Sequence, residues 1–237
     1  MISDIKKDLS FMMNPEKAAF FPYFFKTGKG EYGEGDQFLG VTVPQQRIIA
    51  KKYVNLANLK DIAALLESPI HEHRLTALLI LVYKNEKASP EEKKAIFDFY
   101  LAHTKGINNW DLVDASARSI VGDYLLSAEK KDKTPKLLID LSHSKDLWER
   151  RIAIVATYAY IKKGIISPTF EITELLMKDA HDLIHKACGW MLRETGKKDI
   201  EALIEFVEKH KAVMPRTMLR YAIERMDKET KVELMKR

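Results

Sequence analysis

The sequence predicts an all-α chain of stacked helix pairs, an α–α solenoid, and three observations carry that reading. Helix-opening signals are dense, apolar residues recur with a period near 3.6, and a basic residue followed three positions later by a small or apolar one returns at near-constant spacing. Asn14-Pro15-Glu16, Ser89-Pro90-Glu91 and Ser167-Pro168 each place a capping side chain before a proline at the expected first helical position. A missing N–H costs nothing there, and the fixed φ already suits a helix. Leu75, Leu78, Leu79 and Val82 then fall on one helical face, as do Ile152, Val155 and Ala156, and Leu203, Phe206 and Val207. About a dozen helices of roughly 10 to 18 residues, joined by short polar turns, are expected.

The repeat rests on five pairs. Arg74 precedes Ala77 and Arg150 precedes Ala153, 76 residues later, with Leu112 and Ala115 at the midpoint. Lys186 with Gly189 and Arg216 with Leu219 continue the series. Units of about 36 to 38 residues that bury apolar faces on their neighbours form a curved array with a long concave surface. One domain over residues 1–237 is the expected organisation.

One segment departs from the pattern. Residues 26–40, KTGKGEYGEGDQFLG, hold five of the ten glycines and lie between a helix ending near Phe25 and one starting at Val43-Pro44. A short β-hairpin or loop insert over about residues 27–42 is expected, at the surface and dispensable to the fold. Gly28, Gly30 and Gly33 formally spell the dinucleotide-binding pattern, but a helix rather than a strand precedes them, so that reading is rejected.

Composition narrows the function classes. Hydrophobic residues make up 46% and charged residues 31%, which excludes a disordered chain. No apolar run is long enough for a transmembrane helix, and the first residues lack the form of a secretory signal, so no membrane role and a cytoplasmic location are expected. Cys188 is the single cysteine, which excludes an intrachain disulfide and a cysteine-based zinc site. His181 and His185 share a helical face, but HDLIH lacks the glutamate of zinc proteases and a third ligand, while His71 and His73 diverge on a helix; no metal and no cofactor are expected. The net charge is +5, and residues 145–237 carry 19 basic against 15 acidic residues, so most of the surplus lies in the second half. That excess suits a nucleic-acid partner and equally a set of solvated lysine-rich faces.

Three constellations can carry chemistry. Trp110 and Asp114, in NNWDLVD at a helix start, share one face, where an indole and a carboxylate can hold a cation. The alternative is that Trp110 packs in the core while Asp111 or Asp114 serves the helix dipole. Trp148 with Arg150 and Arg151, and Trp190 with Lys186 and Arg193, repeat an aromatic–basic pairing at helix starts that suits phosphate and sugar contact. Arg216 is the basic residue at the last such start. Inter-repeat packing of the tryptophans with surface arginines is the alternative.

On NPEKAAFFPYF, NNWDLVD, LWERRIA, KACGWMLRETG and MPRTMLRYAIE the chain resembles the AlkD-type DNA alkylation repair family, whose members are HEAT-like helical superhelices. The resemblance implies a DNA glycosylase that excises cationic N3- or N7-alkylated purines by hydrolysing the N-glycosidic bond. It implies that Trp110, Asp114 and Trp190 line the site, that Tyr23 adds an aromatic from the first helix pair, and that Arg151 meets the DNA backbone. Double-stranded DNA with an alkylated base is the implied partner, bound by a monomer. GEYGEGDQFLG resembles a protruding hairpin found in branches that bind branched or distorted DNA without excising bases, which is the alternative function.

Overall fold

A computed structural model describes residues 1–128 and 133–236. The described residues are helical with no strand, in agreement with the expected fold class, and their α-helices run from five to seventeen residues. They form two compact units, Met1–Ile120 and Val121–Arg237.

The first unit contains α1 (Ile2–Phe11), α2 (Pro15–Phe24), α3 (Val43–Tyr53), α4 (Leu59–Leu66), α5 (His71–Lys87), α6 (Pro90–Ala102) and α7 (Trp110–Ala117). Its spine is α5, against which α1, α3, α4, α6 and α7 all pack. Consecutive residues from His71 to Val82 are buried, so α5 is covered on every side rather than along one stripe. The second unit contains α8 (Asp123–Ala128), α9 (Lys136–Ser142), α10 (Leu147–Ala156), α11 (Tyr158–Lys162), α12 (Ser167–Leu175), α13 (Asp182–Gly196), α14 (Ile200–His210), α15 (Arg216–Ala222) and α16 (Lys228–Met235). Here α13 is the centre, touching α10, α11, α12, α14 and α15.

The repeat positions fall where packing needs them. Ala77, Ala153 and Leu219 are fully buried. Gly189 lies so close to α15 that a Cβ would stand 2.5 Å from the Met218 carbonyl oxygen, so the smallest residue sets the helix spacing there. Two of the three expected proline starts are capped as read: Asn14 Oδ1 accepts from the Lys17 N–H, and Ser89 forms a capping box with Glu92. At the third, Ile166 occupies the cap position and Ser167 is already helical, so the Ser167 cap is corrected.

Of the two forms expected for the glycine-rich segment, the loop is present. Residues 26–40 form a run of turns with a single β-bridge between Gln37 and Ile70, not a hairpin, and they are not a loose insert. Carboxylates take the backbone donors that a strand partner would otherwise take. Glu31 accepts from Gly28 and Glu34 from Gly30, while Glu72 of α5 accepts from the N–H groups of Leu39, Gly40 and Val41. Gly33 and Gly40 are packed so tightly that a Cβ would approach the Phe25 carbonyl oxygen to 2.5 Å and the Asn14 carbonyl oxygen to 2.1 Å. Gly33 and Gly40 are buried, whereas Gly28 to Glu31 are exposed, so the segment is fastened at these two glycines and open to solvent between Gly28 and Glu31.

Candidate functional site

The first unit gathers an aromatic wall around the start of α7. Asn109 caps that helix, its side chain accepting from the Trp110 N–H at 2.8 Å. The half-buried Trp110 ring stacks on Phe25 with centroids 5.6 Å apart and meets Phe24 edge-on at 5.8 Å. The wall then climbs α2 from Phe24 to Phe20 to Tyr23, each step 6.3 Å. These α2 rings are open to solvent: Phe20 is 55% exposed and Tyr23 74%. No residue of α2 is buried, so the helix presents aromatic surface instead of hiding it. The Lys26 ammonium lies 4.7 Å over the Tyr23 ring.

Asp114 is half-buried, one turn along α7 from Trp110. Behind it Tyr100 is fully buried and shares a hydrogen bond with Ser116 at 2.9 Å; burial raises its hydroxyl above the ordinary tyrosine range, and the Asp114 charge adds to that. Behind Trp110 lies a group that sequence reasoning missed. His71, at the first position of α5, bonds Asp36 through Nδ1 at 2.9 Å and Asp111 through Nε2 at 2.8 Å, and Arg74 bonds the other oxygen of Asp36 at 2.6 Å. Both carboxylates can only accept, so the ring donates from both nitrogens and is an imidazolium. Burial alone would lower its pKa. Asp111 and Asp36 overcome that against the opposing Arg74 charge, raising it from 6.5 to about 9. Burial pushes the Asp36 carboxyl up, and the His71 and Arg74 partners reverse this to hold it below its ordinary value. The partners of His71 lie 35 and 40 positions away in the chain, which no local spacing reveals.

The other expected site residues lie in the second unit. Trp190 is half-buried on α13 beside Tyr158, with centroids 6.5 Å apart. The basic residues are engaged within the protein. Arg150 pairs with Asp179 at 2.6 Å and donates to the Ser144 and Lys145 carbonyls. Arg151 is 5% exposed and donates to the Leu183 carbonyl at 2.6 Å. Arg193 bonds Glu224, Arg216 donates to the Met235 carbonyl at 3.0 Å, and Lys186 pairs with Asp182 at 2.7 Å on a solvent-facing stretch of α13. The two histidines of HDLIH are structural as well: His181 caps α13 and His185 bonds the Asp179 carbonyl. Cys188 is fully buried, and that burial raises its thiol above the ordinary range. No helix among the described residues is long and apolar enough to cross a membrane.

The chain is similar over 92% of its length to the solved structure of a predicted DNA alkylation repair enzyme from Enterococcus faecalis. That likeness covers 98% of the other chain at 20% identity, with a TM-score of 0.71. It establishes a shared fold. No curated protein matches the sequence. The family model described as DNA alkylation repair enzyme matches residues 5–226, nearly the whole sequence. The chain belongs to the DNA alkylation repair enzyme family.

Proposed function

We propose that the protein is a DNA glycosylase that releases cationic N3- or N7-alkylated purines. The observation that carries this reading is the solvent-open wall of Tyr23, Phe20, Phe24 and Trp110 beside the half-buried Asp114. Aromatic faces attract a cation through the ring quadrupole, and an alkylated purine is a planar cation with its own stacking surface. As the bond from sugar C1′ to the purine nitrogen breaks, its electron pair neutralises the base, which leaves. Positive charge passes to the deoxyribose. Asp114 stabilises that oxocarbenium character and directs a water to C1′, whose proton passes to the carboxylate or to solvent. Trp110 holds the sugar and base; Trp190, implied at the site by the family resemblance, belongs to the second unit.

Double-stranded DNA is the partner in this reading. Among the basic residues, Lys186 is best disposed to exchange its exposed intramolecular pair for a phosphate, because such a pair is worth little. The alternative, a non-catalytic binder of branched DNA, drew on a protruding hairpin. Residues 26–40 form turns rather than a hairpin, with Gln37, Leu39 and Gly40 tied to Pro69, Asn14 and Glu72, so that reading is left without its hairpin.

Incubation with duplex DNA containing 7-methylguanine or 3-methyladenine, followed by chromatography of free base, tests the proposal. Time-dependent release above the spontaneous rate is expected. Binding to a four-way junction with no release from either lesion would overturn it in favour of the alternative.

A further inference from the structure

The imidazolium of His71 is tied to Trp110 by two separate routes. One is covalent and polar: Nε2 of His71 bonds Asp111, the residue next to Trp110 in the first turn of α7. The other is stacking: the His71 ring lies 4.7 Å from Phe25, which lies 5.6 Å from the Trp110 ring at an interplanar angle of 21°. Phe38 also meets the ring, at 5.1 Å, and itself stacks on Phe25 at 5.2 Å, while Asp36 of the glycine-rich segment bonds Nδ1. Fold stability alone does not require this arrangement. Apolar side chains in place of His71, Asp36 and Asp111 together would fill the same space without taking charges out of water. What the ionic bridge adds is direction, because two bonds on opposite nitrogens fix the ring and both partner segments at once.

We propose that His71 is a positioning residue for Trp110: by bridging Asp36 and Asp111 it sets the first turn of α7, so that the indole and Asp114 meet the substrate together. This rests on the glycosylase reading of the site for its consequence in catalysis, though not for its geometry. The groups that face the ring are Asp36 of the glycine-rich segment, Asp111 of α7 and Arg74 of α5. Two acids and two bases make the cluster neutral while His71 is protonated. Loss of the imidazolium proton leaves two buried carboxylates with Arg74 alone, and the Asp111 tie is then the weaker one. Asp111 has a further consequence for the site. Its negative charge is matched by His71, which keeps Asp111 from the role proposed for Asp114 at the sugar.

The test uses the full-length protein and two substitutions at one position. In Asp111→Asn the side-chain oxygen still accepts from His71 Nε2, whereas Asp111→Ala removes the acceptor. Nitrogen-edited NMR is expected to show both ring N–H groups of His71 at pH 7, with the Trp110 indole resonance (assigned with Trp110→Phe) moving as pH rises through about 9. Asp111→Ala is expected to shift that resonance at pH 7 and to slow single-turnover base release about tenfold, with DNA affinity changed by less than about twofold. Asp111→Asn is expected to restore the resonance and most of the rate. A His71 ring with one N–H at pH 7, or an indole resonance indifferent both to pH and to Asp111→Ala, would overturn the proposal. Equal loss in the Ala and Asn variants would do the same. Should Asp111→Ala fail to fold, the pH titration of the unaltered protein decides. Should the unaltered protein release no base, the glycosylase reading falls while the resonance measurements still judge the positioning of Trp110.

Discussion

Arg74 and Arg150, 76 residues apart, make the same pair of bonds. Each donates Nη1 to the carbonyl of a serine six positions earlier, Ser68 at 2.8 Å and Ser144 at 3.0 Å. Each gives a second nitrogen to a carboxylate at 2.6 Å, Asp36 for Arg74 and Asp179 for Arg150. The basic residue of the repeat therefore staples the turn before its own helix. A planar guanidinium reaches two acceptors in different directions, which an ammonium does not.

Arg74→Ala is expected to destabilise the first unit by about 3–5 kcal/mol, because it leaves Asp36 charged and buried without its guanidinium partner. Arg150→Ala should cost less, about 2 kcal/mol, since Arg150 keeps 18% of its side chain in solvent. Urea denaturation measures both. An unchanged urea midpoint in Arg150→Ala, with a DNA-affinity salt slope reduced by one phosphate, would assign that residue to the backbone of DNA instead.

Arg151 follows the same logic. With 5% exposure and its guanidinium bonded to the Leu183 carbonyl, its replacement by Ala leaves a buried carbonyl without this donor. A loss of about 1–3 kcal/mol of stability is expected, with the salt dependence of DNA binding unaltered. A stable variant with weakened, less salt-sensitive binding would return Arg151 to the phosphate contacts implied by the family resemblance.

Stability should pass through a maximum between two histidine limbs. His71 has a folded pKa raised from 6.5 to about 9, so its contribution is complete below 6.5 and is lost as pH rises through 9. A shift of that size corresponds to about 3 kcal/mol. Burial, with the Lys6 and Arg74 charges, lowers His73 from 6.5 to about 4, so its contribution is complete above 6.5 and is lost as pH falls toward 4. His73 is neutral at pH 7 and shares a bond with Ser68 at 2.8 Å. Thermal melts from pH 4 to 10 should show both limbs, and His73→Gln should flatten the acid one between 6.5 and 4. An alkaline limb absent from the unaltered protein would contradict the imidazolium.

What could be read from the sequence was what depends on near neighbours. Asn14 and Ser89 cap as expected because a cap needs only the next three residues. The burial of Ala77, Ala153 and Gly189 was visible as spacing. Trp110 and Asp114 were found together because they share one helix. The Asp36–His71–Asp111 bridge was not visible, since its members lie in three segments separated by 35 and 40 residues. The attachment of the glycine-rich loop was hidden for the same reason: its anchor is Glu72, more than 30 positions away.

Glycine substitutions separate the two parts of that segment. Gly40 has φ +78 and almost no room for a Cβ, whereas Gly30 has φ +79 and open space around it. Gly30→Ala should cost about 1 kcal/mol, the strain of a left-handed backbone alone. Gly40→Ala should cost at least about 3 kcal/mol, because a methyl group would strike backbone of α2. Replacing residues 28–40 with a Gly-Ser linker removes Asp36 as well and should unfold the first unit. Calorimetry of the three variants checks the order, and a stable linker variant would mean that the segment is an ornament after all.

Asp114→Asn tests the chemistry most directly. The amide keeps the size of the carboxylate and a hydrogen-bond acceptor, so packing around Tyr100 and α7 is retained, but the charge that answers the oxocarbenium sugar is gone. Loss of one such contact in a preorganised site is worth about 3 kcal/mol, or roughly a hundredfold in rate. Single-turnover release of 7-methylguanine should fall by that factor, while affinity for the lesion-bearing duplex stays within about twofold, because the contact forms mainly in the transition state. The Tyr100 hydroxyl supplies an internal check. Its pKa is raised in part by the Asp114 charge, so the variant should ionise Tyr100 at lower pH than the unaltered protein. A displaced tyrosine titration with unchanged excision would show that the charge was removed and was not needed. Asp114 would then leave the mechanism, and the aromatic wall alone would have to account for any catalysis observed.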